Sequence, residues 1–150
     1  MFNKRYYRSQ KKTDKLKEIL DKTFHLFIRL RDARKDGTFQ CISCGRILPF
    51  ERSDCGYYIN ERHSATRYNE DNCHAQCRTC NFFKGGNSEE FRKALIRKFG
   101  KEKVEEIERL KNDISKMSET DYQDKIYYYE EQINNLKKEK PMCYYYAPSK

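Results

Sequence analysis

The chain has 150 residues, the size of one domain, and its 32 basic and 23 acidic side chains give a formal net charge of +9. No stretch approaches the ~18 consecutive apolar residues that a membrane-spanning helix needs, which excludes an integral membrane protein. Residues 1–35 hold 12 basic and 4 acidic residues, whereas residues 101–150 hold 10 and 11. A basic arm beside a nearly neutral body favours a polyanion as partner, although a solubilising helix face would give the same pattern.

The first predicted element is a helix from Asp14 to Ala33, which Asp36 and Gly37 end. Its apolar residues recur at intervals of three and four and form one stripe: Leu16, Ile19, Leu20, Thr23, Phe27 and Leu30. His25 lies off the centre of this stripe, and the sequence assigns it no chemistry.

Seven cysteines stand in a chain whose start lacks the apolar core of a secretory signal, so we expect a reducing cytoplasm and metal ligation rather than disulfides. Four of them form two C-x-x-C units: Cys41, Cys44, Cys77 and Cys80. Two such pairs suit tetrahedral zinc, while a redox dithiol or an iron–sulfur site is the alternative. The other three are expected to be packing or surface thiols: Cys55, Cys73 and Cys143.

The gap between the two pairs holds 32 residues, against ~15–20 in an ordinary zinc ribbon. It contains or adjoins a set of polar side chains: Asp54, Tyr57, His63, Asn72, His74 and Asn81. A zinc ion saturated by four thiolates has no open position, so any chemistry needs a second site. Oxygens of Asp54 and Asn81 suit Mg²⁺. The alternative makes Asn72 and Asn81 turn or cap residues and His74 a surface residue.

Helices are predicted to fill the rest of the chain. Ser88 is the expected N-cap of a helix that runs to Phe99 and stops at Gly100, with a further helix over Lys101 to Lys111. Thr120 with Gln123 resembles a capping box for the last helix, which ends before Pro141. The apolar stripe of that helix predicts packing on the first helix or on another subunit, and the tail from Met142 is expected to be loose.

Several spaced segments together resemble one family. They are Cys41-Ile-Ser-Cys-Gly, Asp54-Cys-Gly-Tyr-Tyr, the run from Arg67 through Asn72-Cys-His to Asn81, and Gly86-Asn87. From about Cys41 to Leu110 the chain is similar to the NinG (Rap) phage recombination proteins, a zinc-bound branch of the HNH, or ββα-metal, nucleases. The resemblance implies a ββα-metal fold, a Mg²⁺- or Mn²⁺-type catalytic ion and cleavage of branched DNA intermediates in the cytoplasm of the host cell.

The resemblance also implies residue roles. The two cysteine pairs would hold a structural zinc, Asn72 would steady the loop that carries the general base, and Asn81 would bind the catalytic metal. Asp54 and His74 also match family positions, and Asp54 is assigned to the metal as well. The first HNH histidine is the exception, because the family has Gly-His-aromatic where this chain has Gly56-Tyr57-Tyr58.

Tyr57 has a consequence for catalysis. A phenol titrates near ~10 and an imidazole near ~6.5, so Tyr57 is a poor base at neutral pH. Losing a positioned base commonly costs ~10²–10⁴ in rate, so Tyr57→His is expected to raise cleavage by ~10²-fold or more. Three alternatives remain: His74 or His63 supplies the base, the protein is a weak nuclease or a pure DNA binder, or the tyrosine is a sporadic substitution.

The sequence therefore predicts an α+β protein in three parts: a basic arm and helix over residues 1–37, a zinc-clasped HNH-like ββα unit over 38–100, and C-terminal helices and tail over 101–150. The predicted function is a metal-dependent DNA endonuclease of phage recombination type, with branched, Holliday-junction-like DNA as partner and no membrane contact. A homodimer through the last helix is a further hypothesis. The alternative function is a non-catalytic zinc module that binds DNA or scaffolds a recombination complex.

Overall fold

A computed structural model describes residues 4–145, with side chains described over residues 10–143. The helices in chain order are α1 (Lys4–Asp32), α2 (Ser88–Phe99), α3 (Lys101–Leu110), α4 (Glu119–Glu139) and α5 (Met142–Tyr145). The strands are β1 (Thr38–Gln40), β2 (Ile47–Pro49), β3 (Ser53–Tyr57) and β4 (Cys73–Cys77). Single turns of helix cover Phe50–Arg52, Glu70–Asn72 and Thr79–Phe83, the last with π-helical geometry. The predicted mixture of helices and strands is thus confirmed, as helices around two small sheets.

Helix α1 begins ten residues earlier than the apolar pattern predicts, at Lys4 instead of Asp14. Its first turns are rich in Lys, Arg and Gln, which are good helix formers but leave no apolar signal. At the other end, the Lys140 ammonium donates hydrogen bonds to the carbonyl oxygens of Leu30 and Arg31 at 2.8 and 2.9 Å. A cation there satisfies carbonyls that have no partner within the helix, so α4 and α1 are tied end to end.

Both sheets are two-stranded and antiparallel, β1 with β2 and β3 with β4. In the β3–β4 pair, Gly56 lies opposite His74 and Tyr57 opposite Cys73. A side chain at Gly56 is excluded, because a Cβ there would lie 2.9 Å from the Cβ of Gln76. This close approach explains the glycine in the middle of a strand.

The β3–β4 pair is anchored to α1 by two polar contacts. Asp32, at the end of α1, accepts a hydrogen bond from the Ala75 backbone N–H at 2.8 Å. Arg29, one turn earlier, donates from Nε to Oγ of Ser53 at 2.9 Å. Because both contacts join one helix face to both strands, they fix where the preceding turns of α1 stand relative to the sheet.

The helix caps in the C-terminal half differ from the predicted ones. Helix α2 has the predicted bounds, but its N-cap is Asn87 with φ +46°, and Ser88 is the first helical residue. The capping box of α4 is formed by Ser118 and Asp121 instead of Thr120 and Gln123. Each side chain of this pair bonds the backbone N–H of the other, at 2.7 and 3.2 Å. Overlapping Ser/Thr–acid signals in this segment explain the shift by two residues.

The main core lies where α1, α4 and the β3–β4 pair meet. Its buried apolar side chains include Leu20, Phe24, Phe27, Ile28, Leu30, Phe50, Tyr129 and Ile133. The apolar stripe of α4 was predicted to pack on the first helix or on another subunit, and in the structure it packs on α1. The expected loose tail instead begins with the short helix α5, in which Cys143 is buried, and residues 146–150 lie outside the described part. Among the described residues, no helix is both long and apolar enough to cross a membrane.

Candidate functional site

The two C-x-x-C pairs form one cluster of thiols. The sulfur atoms of Cys41, Cys44, Cys77 and Cys80 all lie within 4.8 Å of one another. The Cys44 and Cys77 sulfurs are 3.8 Å apart, the same as the sulfur–sulfur separation of ~3.8 Å in a tetrahedron of Zn–S bonds near 2.3 Å. These four cysteines could therefore hold a metal such as zinc.

Hydrogen-bond donors surround the thiol cluster. Arg46 donates to the sulfurs of Cys44 and Cys77 at 3.5 and 3.4 Å, and Asn87 donates to Cys80 at 3.3 Å. Burial raises the pKa of the Cys44 thiol, but hydrogen bonds with Arg46, Cys41 and Cys80 together outweigh it and bring the pKa to about 6. Donors of this kind stabilise the deprotonated sulfurs that a metal requires.

A cleft of about 620 Å³ lies beside the cluster, between α1, strand β3 and the π-helical turn. Asp54 of β3 and Asn81 of the π-helical turn line it and meet there: Asn81 Nδ2 donates to Asp54 Oδ2 at 3.2 Å. The cysteines bring this about, because Asn81 directly follows Cys80 and is carried with it to the hairpin. A carboxylate and an amide this close could together bind a hard cation, since rotation of the amide turns its oxygen inward.

Asn72 ends the Glu70–Asn72 turn and is fully buried. Its amide oxygen accepts from the Ile59 N–H at 2.7 Å, and its amide nitrogen donates to the carbonyl oxygens of Ile59 and Thr66 at 2.9 and 3.1 Å. All three contacts hold the segment after β3 against the start of β4. The side chain therefore shapes the loop and does not line the cleft.

The two histidines that the sequence offers as substitute bases stand elsewhere. His74 is 1% exposed and is enclosed by Asp32, Arg31 and Phe99, away from the cleft. Burial lowers its pKa even though Asp32 opposes the effect. His63 lies on an exposed loop with its Nδ1 3.1 Å from the carbonyl oxygen of Lys111. Neither side chain lines the cleft.

Tyr57 lines the cleft together with a residue that the sequence analysis passed over. His25 of α1 lies with its Nε2 2.9 Å from the Tyr57 hydroxyl, and both side chains are part of the lining. Burial raises the pKa of Tyr57 well above its ordinary value. The sequence carries one faint signal for His25: it stands four residues before Arg29, so both are on one face of α1.

The cleft rim carries cations and an exposed aromatic pair. Arg29 and Arg78 both line the cleft, and the Arg78 guanidinium lies 5.4 Å from the centre of the Phe82 ring. Phe82 and Phe83 are 66% and 75% exposed although both are large and apolar. Exposed aromatics beside arginines are typical of surfaces that bind nucleic acid.

Comparison with known proteins gives a family. The model of the family described as Bacteriophage Lambda NinG protein matches residues 3–139. Protein ninG of Escherichia phage lambda is 42% identical over 83 residues, which are 55% of this chain and 38% of that protein. Protein ninG of Escherichia phage 933W and of Salmonella phage P22 are 41% and 40% identical over 83 residues, 39% and 38% of their lengths. The matched segment thus covers under two-fifths of these relatives, and no solved structure matches. Because the family model covers nearly the whole sequence, this chain belongs to the NinG family.

Proposed function

We propose that the chain is a metal-dependent DNA endonuclease of phage recombination type, built on an HNH-like ββα core. The observation that carries the proposal is the meeting of Asp54 and Asn81 at 3.2 Å in the cleft beside the thiol cluster. In this interpretation β3, β4 and the π-helical turn are the ββα unit, which the clustered cysteines hold together. The enzyme would act on DNA in the cytoplasm of the host cell.

Asp54 and Asn81 would hold Mg²⁺ or Mn²⁺. Their carboxylate and amide oxygens are of the type that Mg²⁺ prefers, and the two side chains meet at 3.2 Å, close enough to share one ion. When bound there, such an ion would supply charge that polarises the scissile phosphate and stabilises the leaving oxygen. The protein's own part is to place the phosphate: Arg29 and Arg78 line the same cleft and carry the charges that a phosphate binds. Asn72 would hold the loop after β3 in place while the DNA is bound and cut.

Branched DNA is the proposed substrate because its branch points expose unpaired or weakly stacked bases. Phe82 lines the cleft and its ring contacts that of the exposed Phe83; both would stack on such bases, which is worth ~1–3 kcal/mol for each base. A continuous duplex offers no free base face for them. The same chain should therefore favour a junction over a duplex of equal length.

The test is cleavage of a labelled four-way junction and of a duplex by the zinc-loaded protein, with Mg²⁺, with Mn²⁺ and with neither. We expect cuts only with a divalent ion and faster on the junction. The phenol at position 57 supports the competing function, a zinc module that binds DNA without cutting it. Binding without any cleavage of junction or duplex would favour that function and contradict the nuclease proposal.

Salt dependence offers a separate test of the DNA surface. If α1 contacts phosphates, exchanging its exposed lysines for glutamine should weaken binding about equally for all sequences. The triple exchange is placed at Lys11, Lys15 and Lys17. Each lost contact costs ~5-fold at 0.15 M salt through counterion release, so we expect ~10²-fold weaker binding and a salt slope flatter by ~2.7.

The matched control for this test removes the same charge elsewhere. It exchanges three exposed lysines of the C-terminal third for glutamine: Lys101, Lys116 and Lys138. This control should leave the salt slope nearly unchanged. The slope is measured by fluorescence anisotropy at about ten salt concentrations between 50 and 300 mM. Equal slopes for the two triple variants would place the DNA surface away from α1.

A further inference from the structure

One histidine of this chain stands in the cleft, and it comes from outside the cysteine-clasped segment. The chain has three histidines, and His63 and His74 both lie away from the cleft lining. His25 instead reaches it from α1, about six turns after that helix begins at Lys4. Its Nε2 and the Tyr57 hydroxyl are 2.9 Å apart, which is hydrogen-bond distance.

The two rings also meet in an arrangement that favours proton transfer. Their centroids are 5.7 Å apart and their planes stand at 71°, an edge-on arrangement, and the Tyr57 hydroxyl is within hydrogen-bond distance of Nε2 on the imidazole edge. A neutral imidazole with its proton on Nδ1 presents Nε2 as an acceptor, and the phenol donates to it. The Tyr57 oxygen still has lone pairs to accept a hydrogen bond from water in the cleft.

The position of His25 is held by contacts that do not involve it. One turn later on α1, Arg29 bonds Ser53, and at the helix end Asp32 bonds the Ala75 backbone. Packing of α1 against β3 and β4 therefore sets the distance to Tyr57. A merely space-filling residue would not need a ring nitrogen at hydrogen-bond distance from a phenol hydroxyl.

We propose that His25 is the general base of the cleft and takes the proton of the attacking water through the Tyr57 hydroxyl. This inference rests on the proposed nuclease function. As the water oxygen bonds to phosphorus, a water proton passes to the Tyr57 oxygen and the phenol proton passes to His25 Nε2. The phosphorus–oxygen bond to the leaving sugar oxygen breaks, and that oxygen takes a proton from solvent. The phenol stays neutral throughout, so its high pKa is no obstacle, and His25 later returns its proton to solvent.

Charged groups around His25 bear on the pH at which it works. Burial lowers its pKa, Asp21 of α1 and Glu61 of the loop after β3 oppose this, and Arg67 and Arg29 add to it. The net result is a pKa below the ordinary 6.5, so the ring is neutral at pH 7. Protonation of Nε2 would remove the acceptor, and the cleavage rate should therefore fall as the pH drops through this pKa.

The test moves the imidazole from position 25 to position 57. His25→Gln should lower single-turnover cleavage of the junction by ~10²-fold or more, and Tyr57→Phe should do the same. In the double variant His25→Gln with Tyr57→His, the imidazole at position 57 can take the water proton directly. We expect this variant to recover to within ~10-fold of Tyr57→His alone. Since His25 already supplies the base, Tyr57→His alone should gain less than ~10-fold, and not the ~10²-fold that the sequence alone predicts.

Two measurements separate a chemical role from a structural one. Junction affinity should stay within ~2-fold in all variants, because the base acts only in the transition state. NMR titration of the labelled histidines, without DNA or added divalent ion, should give His25 a pKa below 6.5 that shifts in Tyr57→Phe. His63→Gln, on the exposed loop, is the control and should cleave like the parent.

Each outcome decides. If the parent cuts and His25→Gln cuts equally fast, His25 is not the base, while the nuclease function stands. If His25→Gln is slow and the double variant stays slow while Tyr57→His is active, the role of His25 is structural and the proposal fails. Full activity of Tyr57→Phe contradicts the route through the hydroxyl. If no variant cuts, Tyr57→His included, the proposed function itself fails.

Discussion

Exchange of Cys77 for serine is expected to release the bound metal and to unfold the strands around the thiol cluster. Cys77 is 1% exposed, ends β4 and lies opposite Ser53 at the start of β3. Structural zinc contributes ~10–16 kcal/mol in zinc-finger peptides at neutral pH. This is comparable to the whole free energy of unfolding of a typical domain, ~5–15 kcal/mol. The small sheets cannot replace it, because each has only two strands and the core around the thiols is small.

The measurements are zinc content by elemental analysis and amide hydrogen exchange. The parent should hold one zinc per chain, and Cys77→Ser less than ~0.1, with protection in β1–β4 falling by more than ~10²-fold. Cys55→Ser is the matched control, since Cys55 is on the neighbouring strand but outside the cluster, and it should keep its zinc. A parent without zinc, or with the visible absorption of an iron–sulfur site, would contradict the prediction.

The thiol cluster was the part of the site most open to sequence analysis. In a C-x-x-C turn two residues of backbone bring both sulfurs to one side, so the pairing of ligands is a local property. Only the meeting of the two pairs across 32 residues depends on the fold, and a shared metal gives a reason for it. Asp54 and Asn81 are candidates because carboxylate and amide oxygens suit Mg²⁺ and because both match family positions, but no local rule predicts that the two side chains meet.

Neither local spacing nor family resemblance gives His25 a chemical role. Its partner Tyr57 lies 32 residues further along the chain, and the contact depends on how α1 docks on the β3–β4 pair. That docking is fixed by Arg29 with Ser53 and by Asp32 with Ala75, contacts for which the sequence shows no spacing rule. A histidine at the edge of an apolar stripe is an ordinary feature of amphipathic helices, so periodicity alone gave it no chemical role.

Helix ends show the same division between local and tertiary information. The bounds of α2 were predicted correctly, since Gly100 stops it with φ +88°, a backbone conformation that favours glycine. The start of α1 was missed because its first ten residues have no apolar period. The capping box of α4 was displaced because Ser118 and Thr120 both precede polar residues at the right spacing, and only the geometry selects between them.

Exchange of Asn81 for alanine is expected to abolish cleavage while DNA binding and zinc content persist. With Asn81 gone, Asp54 is the single proposed ligand left for the catalytic ion in the cleft. If the ion contributes ~4 kcal/mol of transition-state stabilisation, its loss lowers the rate by ~10³-fold. Thr79→Ala, an exposed position on the same π-helical turn outside this cleft, is the matched control and should cleave like the parent.

A second exchange at the same position separates metal binding from the hydrogen bond to Asp54. Imidazole is a ligand for transition metals, so Asn81→His should retain cleavage with Mn²⁺ in place of Mg²⁺, whereas Asn81→Ala should fail with both. If the 3.2 Å contact between Asn81 and Asp54 only stabilised the fold, both variants would show a lowered melting temperature. The cleavage rate of neither variant would then depend on the choice of ion. Cleavage by Asn81→Ala at the parental rate would remove Asn81 from the metal site. Ion-selective activity in Asn81→His, with none in Asn81→Ala, would place the divalent ion at this side chain, because only a direct ligand makes the rate depend on which metal it prefers.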